Sequence, residues 1–360
     1  MTPVVGMSVG MLWALSGSAW ACAGLVHDDT SLAESDAAEV LFEPGDGEVA
    51  VSYAVAYTGN AADFGWVIPV PGAVSAIEDG DADRIASLRQ ASQPVVSWPS
   101  ADQPSAGCAC GGAAKSGDSL ESRSNDLEIV AEGFTGTYAY VVIEATDADA
   151  LTAWFTDNGW AGIDPDDVAH YVSIGAAFAA LQVVPETADT PVDGRLLPPV
   201  RIRYAGDALL FPAVMARHAA VSEQHTTLYV VGADRATLAG WTFEEPSGLS
   251  GSDPVAVWDD ALAALGADRA YARTFAGAVD GGFLTRFDTI APTEVHDADV
   301  TLALGDGTDG FQVTIRVDGG DSGSEAAIPL GLLLLAGVGA RRLSPRGRGR
   351  ELDVTVGDEP

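Results

Sequence analysis

The chain has 360 residues, 47% of them hydrophobic, and a formal net charge of −34 at pH 7. An apolar fraction of that size supports a packed core rather than a disordered chain. So acidic a surface repels phosphates and anionic lipid, which excludes nucleic acid as an expected partner.

The length allows two domains, or one large domain with appendages. Lysine occurs once, at Lys115, and the acids are scattered rather than run together, so they read as a solvated surface and not as an acidic tail. Met1 to Ala21 carries an apolar stretch through Met11, Leu12, Trp13 and Leu15 and ends in Ala19-Trp20-Ala21, a small-x-small cleavage pattern. Residues 1–21 are read as a signal peptide, although the n-region has no Lys or Arg; a buried N-terminal helix is the alternative. Cleavage there makes Cys22 the first residue. Ala19 stands where a lipid-modified cysteine usually has a Leu-type residue, so lipidation of Cys22 is the secondary reading.

Glu39 to Phe42 and Glu48 to Tyr57 are expected to be strands, the second with Val49, Val51, Tyr53, Val55 and Tyr57 at period two. After a Thr58-Gly59-Asn60 turn comes Asp63-Phe64-Gly65-Trp66-Val67-Ile68-Pro69-Val70-Pro71, apolar on both faces of an extended chain. Such a strand is expected to be sandwiched between layers. Pro69 and Pro71 point the same way and remove two donors from one edge, the mark of a guarded sheet edge. Asp79-x-Asp81-x-Asp83 starts like a calcium loop, but Arg84 stands at the glycine position and Gln90 at the twelfth, so it reads as a helix entry rich in capping acids. A helix over 82–91 follows.

Residues 93–125 lack periodicity and contain Cys108-Ala109-Cys110-Gly111-Gly112, which predicts a long, flexible exposed loop. Strands are expected at 127–131 and 139–143. Thr146 or Asp147 then caps a helix with the stripe Leu151, Trp154 and Phe155, stopping at Asn158-Gly159. A second helix starts at Pro165 and runs through His170 and Val172. Further strands are expected at 177–184, 200–204 and 227–231, a helix at 254–265, and a closing hairpin of 300–304 with 311–317 around Gly305-Asp306-Gly307. Tyr57-x-Gly59-x-Ala61-x-x-Phe64 recurs as Tyr204-x-Gly206-x-Ala208-x-x-Phe211, which raises the possibility of two related β-modules.

Near the C-terminus, Ala326 to Ala340 is uncharged and is followed by Arg341, Arg342, Arg346, Arg348 and Arg350. The segment is short for a bilayer span, but arginine snorkelling extends it. A core helix with Leu332 to Leu335 in a row and no polar face is the poorer reading. The positive-inside rule puts the arginines in the cytoplasm. The expected organisation is therefore a signal peptide (1–21), an extracytoplasmic α+β domain (22–318, with a boundary near 125), a spacer (319–325), a transmembrane or sorting helix (326–340) and a cytoplasmic tail (341–360). The fold class is α+β, with antiparallel sheets, a few packed helices and the C-terminal membrane helix.

Catalytic motifs are missing: there is no HExxH, nucleophile elbow, phosphate loop or paired CxxC. Gly248-Leu249-Ser250-Gly251-Ser252 reads as a loop. His27, His170, His218, His225 and His296 fall at no metal-ligand spacing with one another. Cys108 and Cys110 are poorly placed to bridge each other, so the expected disulfide joins Cys22 to one of them. It would close a loop of about 85 residues, worth on the order of 4 kcal/mol in the chain-entropy account.

Taken in order, "VSYAVAYTGNAADFGWVIPVP", "CACGG", "GFTGTYAYVVIEATDADALTAWFTDNGW" and "FAALQVV…PPVRIRYAG…LLFPAVMA" resemble the uncharacterised bacterial family catalogued as domain of unknown function 2330. The similarity covers roughly residues 20 to 240. Its fingerprint positions are Phe64, Trp66, Pro69, Pro71, Trp154 and Gly159. The resemblance implies an exported, often membrane-anchored protein without assigned activity, with Cys-Gly-Gly-x-x-Cys near the start. His27 stands at the second of those cysteines, which departs from a two-disulfide arrangement.

The leading functional expectation is a non-enzymatic binding or scaffolding ectodomain anchored in the bacterial envelope, with no cofactor and with the membrane as partner through 326–340. Two rivals differ in class. One is a hydrolase or processing enzyme without a recognisable motif, with His218 and His225 as first suspects. The other is a metal- or redox-linked module using His27, Cys108 and Cys110.

Overall fold

The computed structural model describes residues 25–27, 37–59, 64–98, 127–160, 163–183, 192–217, 222–305 and 307–318. In chain order the elements are β1 (Leu25–His27), β2 (Ala37–Gly45), β3 (Glu48–Gly59), β4 (Phe64–Val70), β5 (Val74–Asp79), α1 (Ala82–Ala91), β6 (Val95–Ser97), β7 (Leu127–Phe134) and β8 (Tyr138–Ala145). Then come α2 (Ala148–Asp157), α3 (Pro165–Ser173), β9 (Ala177–Val183), β10 (Val192–Leu196), β11 (Val200–Ala205), β12 (Leu209–Phe211), β13 (Glu223–Gly232), β14 (Ala236–Ala239) and β15 (Thr242–Glu244). The last are β16 (Leu249–Gly251), α4 (Pro254–Ala267), β17 (Ala270–Val279), β18 (Gly282–Pro292), β19 (Val300–Leu304), β20 (Phe311–Gln312) and β21 (Thr314–Val317).

A ten-stranded sheet is built on the path β15-β17-β18-β13-β2-β3-β11-β5, with β10 added on β3 and β20 on β17. A five-stranded sheet, β1-β4-β9-β8-β7, lies against it. The principal core fills the space between them: Val40, Val51, Tyr53 and Leu228 from the larger sheet meet Trp66, Ile68, Val142 and Leu181 from the smaller. On the outer side of the five-stranded sheet, Val67, Ile143 and Phe178 pack under α2 and α3. On the outer side of the ten-stranded sheet, α1 covers Leu41, Tyr229 and Leu284, while α4 covers Ala272 and Ile290. The result is a layered arrangement of helices, sheet, sheet and helices, in which each sheet buries both faces and so carries apolar side chains in both alternation phases.

The α+β expectation stands, with one correction to its sheets. They are mixed rather than antiparallel: β2 runs parallel to β13, β15 to β17, and β21 to both β6 and β16. The closing hairpin does not form either. β19 pairs with β12 and β14, whereas β20 joins β17 and β21 joins β16 and β6. Glycines at 305 and 307 do take positive φ, as the turn chemistry requires, but the chain they redirect enters another sheet. The Ser-rich passage at 248–252 and the first residues of the presumed loop at 93–125 contain the short strands β16 and β6, recruited by β21. The strands that lead into the two echoed segments are neighbours, since β3 pairs with β11, but they run antiparallel, so Tyr204 stands opposite Val49 while Tyr57 pairs with β10, and the strands that follow diverge: β4 enters the five-stranded sheet and β12 a small separate one.

Helix boundaries follow local chemistry. Asp81, Asp147, Asp164 and Asp253 each stand at an N-cap with the carboxylate accepting a first-turn amide, and Pro165 and Pro254 occupy first-turn positions where no amide is missed. Among the described residues no helix is long and apolar enough to cross a membrane; segments 1–21 and 326–340 lie outside them.

Candidate functional site

Helices α2 and α3 cover only part of the outer face of the five-stranded sheet. The uncovered part forms an open trough of about 620 Å³. Its floor is cut low by small residues, Ala139 of β8 and Ala180 of β9, with Val141 and Gln182 beside them. Glu132 and Phe134 of β7, at the sheet edge, make one wall, and Trp154, Asn158 and Trp160 at the C-terminal end of α2 make the other. Strand alternation puts Glu132, Phe134, Ala139, Val141, Ala180 and Gln182 on one face.

The α2 wall is set by how the helix stops. Gly159 has φ +83°, a conformation glycine takes without strain, and the chain closes as a Schellman motif: the Trp160 amide donates to Phe155 O (2.7 Å) and the Gly159 amide to Thr156 O (3.3 Å). This turn throws the Trp160 indole back across the sheet onto Gly65 of β4, where a Cβ would stand 2.8 Å from its Cζ3. Asn158, which lines the trough, donates from Nδ2 to Trp154 O (2.8 Å), so its Oδ1 is the atom left to accept. At the opposite wall Phe134 is 79% exposed, an unusual position for a large apolar ring. Gly133 beside it makes room for the Tyr140 phenol, which a Cβ there would approach to 2.8 Å. Among the described residues the lining contains no His, Cys, Ser, Thr, Lys or Arg.

Two other polar clusters stand out. Asp299, before β19, accepts from the Tyr171 hydroxyl (2.6 Å) and the Val214 amide (3.0 Å) and lies 3.0 Å from His170 Nε2. Burial first, and Asp299 second, push the Tyr171 phenol well above its ordinary range. This resembles an acid–histidine pair, but every other partner of Asp299 is structural, and the nearby Ser173 hydroxyl donates to His170 O (2.6 Å). The cluster fastens α3 to the 213–216 turn and to the approach to β19.

The second cluster lies buried between α1 and the ten-stranded sheet. Arg286 reaches Asp288 through Nε (2.9 Å) and Nη2 (2.8 Å), while Thr227 and Thr274 each donate to the same carboxylate at 2.7 Å. The guanidinium carbon sits 5.5 Å from the Tyr229 ring centroid, and Tyr229 donates to Glu39, itself paired with Arg89 of α1. Burial alone would lower the Arg286 pKa, but Asp288, Tyr229 and Glu39 outweigh it and raise it. With Arg286 and Asp288 buried at its centre and only Glu39 and Arg89 reaching toward solvent, this network is a structural brace.

The fingerprint residues divide by role. Trp66 is fully buried and meets Tyr53 edge-on at 5.8 Å. Phe64 opens β4, and Pro69 lies opposite Phe178 of β9. The strand is sandwiched, as both apolar faces predict, but it is not an edge along its length: β1 pairs it from Phe64 to Trp66. Pro69 falls in the stretch beyond β1, where no second partner strand stands among the described residues, and Pro71 lies in the turn to β5. Trp154 and Gly159 build the trough. His27 is in β1 opposite Phe64. Cys22, Cys108, Cys110 and His218 lie outside the described residues, and His225 is a β13 residue opposite Ile290, away from the trough lining. No group of three His, Cys, Asp or Glu residues placed for a metal occurs among the described residues. Glu132, Phe134 and Gln182 were missed by sequence reasoning, because they stand on β7 and β9 and meet only through the pairing of both strands with β8.

No curated protein matches the sequence. Among solved structures the chain is similar to the crystal structure of baculovirus P35, at 11% identity and a TM-score of 0.32, over 56% of this chain and 66% of that one, just under two thirds of its length. The profile of DUF2330, described as an uncharacterized protein conserved in bacteria, matches residues 16–295, and the chain belongs to that family.

Proposed function

We propose that the protein is a non-enzymatic binding module of the bacterial envelope, exported through 1–21, anchored through 326–340, and engaging its ligand in the aromatic trough. The observation that carries this reading is the trough itself. An open cavity of about 620 Å³, within the range of ligand sites, is framed by Phe134, Trp154 and Trp160 and is free of nucleophile and acid–base pairs in its described lining.

Co-sedimentation of the full chain, held in detergent micelles, with detergent-washed envelope fragments of the source bacterium tests it, because 326–340 then finds no bilayer to enter. The wild type pellets, and Phe134→Ser and Trp160→Ala stay in the supernatant. Pelleting that both variants retain moves the binding surface elsewhere. Covalent labelling by serine- or cysteine-hydrolase probes overturns the non-enzymatic reading. Protease shaving of intact cells tests the topology: the region 37–318 is digested if the trough lies outside, and full protection sinks that disposition.

A further inference from the structure

We propose that the trough binds a neutral oligosaccharide; the inference rests on the binding reading above and names its ligand class. The lining joins two kinds of group. Phe134, Trp154 and Trp160 offer flat aromatic surface, on which the apolar C–H face of a sugar ring stacks. Glu132, Gln182 and Asn158 offer planar carboxylate and amide groups, whose paired atoms suit neighbouring hydroxyls that both donate and accept. Glu132 and Gln182 make no side-chain hydrogen bond among the described residues and are exposed, and Asn158 has its Oδ1 to spare.

Other ligand classes fit less well. The described lining has no Lys or Arg and the chain carries a net charge of −34, so phosphorylated, sulfated or carboxylated ligands meet repulsion with no compensating cation. A lipid tail or the apolar face of a helix would cover Glu132, Gln182 and Asn158 without offering them hydrogen-bond partners. An organic cation could pair with Glu132 and the rings, but it leaves the two amides unused. The trough is also open rather than enclosed, which leaves room for further linked sugar units beyond the one stacked in it.

The test uses the same detergent-held full chain and detergent-washed envelope fragments, the fragments treated in three ways. Periodate, which cleaves vicinal diols, is expected to reduce pelleting at least tenfold, whereas protease digestion and organic extraction leave it unchanged. The neutral fraction of oligosaccharides released from the same fragments by mild acid competes for binding; Phe134→Ser and Gln182→Ala, both at exposed positions, weaken binding at least tenfold with unchanged thermal unfolding. Binding that survives periodate but is lost on protease or solvent treatment overturns the oligosaccharide and leaves the binding reading standing. Competition confined to the anionic fraction, or release by millimolar tetramethylammonium, likewise overturns it. Failure to pellet with any fragment overturns both.

Discussion

The indole of Trp160 lies against Gly65, with Cζ3 only 2.8 Å from where a β-carbon would stand. The two residues come from the two most distinctive segments of the chain, one entering β4 and the other leaving α2. Gly65 therefore serves as the seat that positions a trough wall. Gly65→Ala is expected to cost about 1–3 kcal/mol, the range for an added methyl group in a packed site. It should also shift the near-ultraviolet circular dichroism of the tryptophans. In a Trp160→Ala background the same substitution should cost much less, because the clashing ring is gone. Chemical denaturation of the four proteins of the cycle measures this coupling; additivity would show that the glycine acts independently of the indole.

Much of the architecture was legible where local chemistry and tertiary fate agree. Asp81 and Asp147 cap where capping rules place them, and α1 spans the 82–91 expected from its pattern. The β17–β18 hairpin, toward the β15 edge of the larger sheet, was not legible. Arg273, Thr274, Arg286 and Asp288 are buried there, so the apolar–polar alternation that reveals strands is broken by charges that face inward. The trough was half legible. Trp154 and Gly159 belong to one local helix-and-stop pattern, but Phe134 and Gln182 become its partners only through β7–β8 and β8–β9 pairing. Likewise the His170–Asp299 contact joins residues 129 positions apart, beyond any spacing rule.

Asp79 ties the two sheets together at another point. At the end of β5 its carboxylate accepts from Thr135 Oγ1 (2.6 Å), the Gly136 amide (2.7 Å) and the Thr137 amide (3.2 Å), holding the β7–β8 turn next to the trough. A β-carbon at Gly136 would collide with the Asp79 carboxylate. Asp79→Ala is expected to destabilise by about 1.5–3 kcal/mol, the range for hydrogen bonds to charged groups. Gly136→Ala should also destabilise, but less once Asp79 has been removed. Urea midpoints of the single and double variants give the answer; an unchanged midpoint in Asp79→Ala would rule out the tie.

Breaking the Arg286–Asp288 brace on one side leaves a buried charge without its partner. Asp288→Asn or Arg286→Met is therefore expected to cost about 3–5 kcal/mol. Replacing both, as Arg286→Met with Asp288→Leu, should cost clearly less than the sum, since no lone charge remains buried. Guanidinium denaturation checks this, with the Thr227 and Thr274 hydroxyls keeping some penalty because their acceptor is lost.

His296 sets an acid limit on the stability of the fold. It lies buried beside Trp241, with ring centroids 5.4 Å apart, and its Nδ1 has no hydrogen-bond partner among the described residues. Burial first, and the nearby Arg269 charge second, bring its pKa from 6.5 down to about 4. The folded protein thus holds the neutral ring, while the unfolded chain takes up a proton below about pH 6.5. The stabilisation is fully present above that value and is lost as the pH falls toward 4. The loss reaches about 2 kcal/mol at pH 5 and about 3 kcal/mol once the folded-state ring is itself protonated. His296→Phe removes the titrating group, so the difference in unfolding free energy between variant and wild type should change by about 2 kcal/mol, in favour of the variant, between pH 7.5 and pH 5. Denaturation curves at the two pH values measure it. A difference that stays constant would mean that the imidazole is solvated in the folded protein, with a pKa close to its value in the unfolded chain.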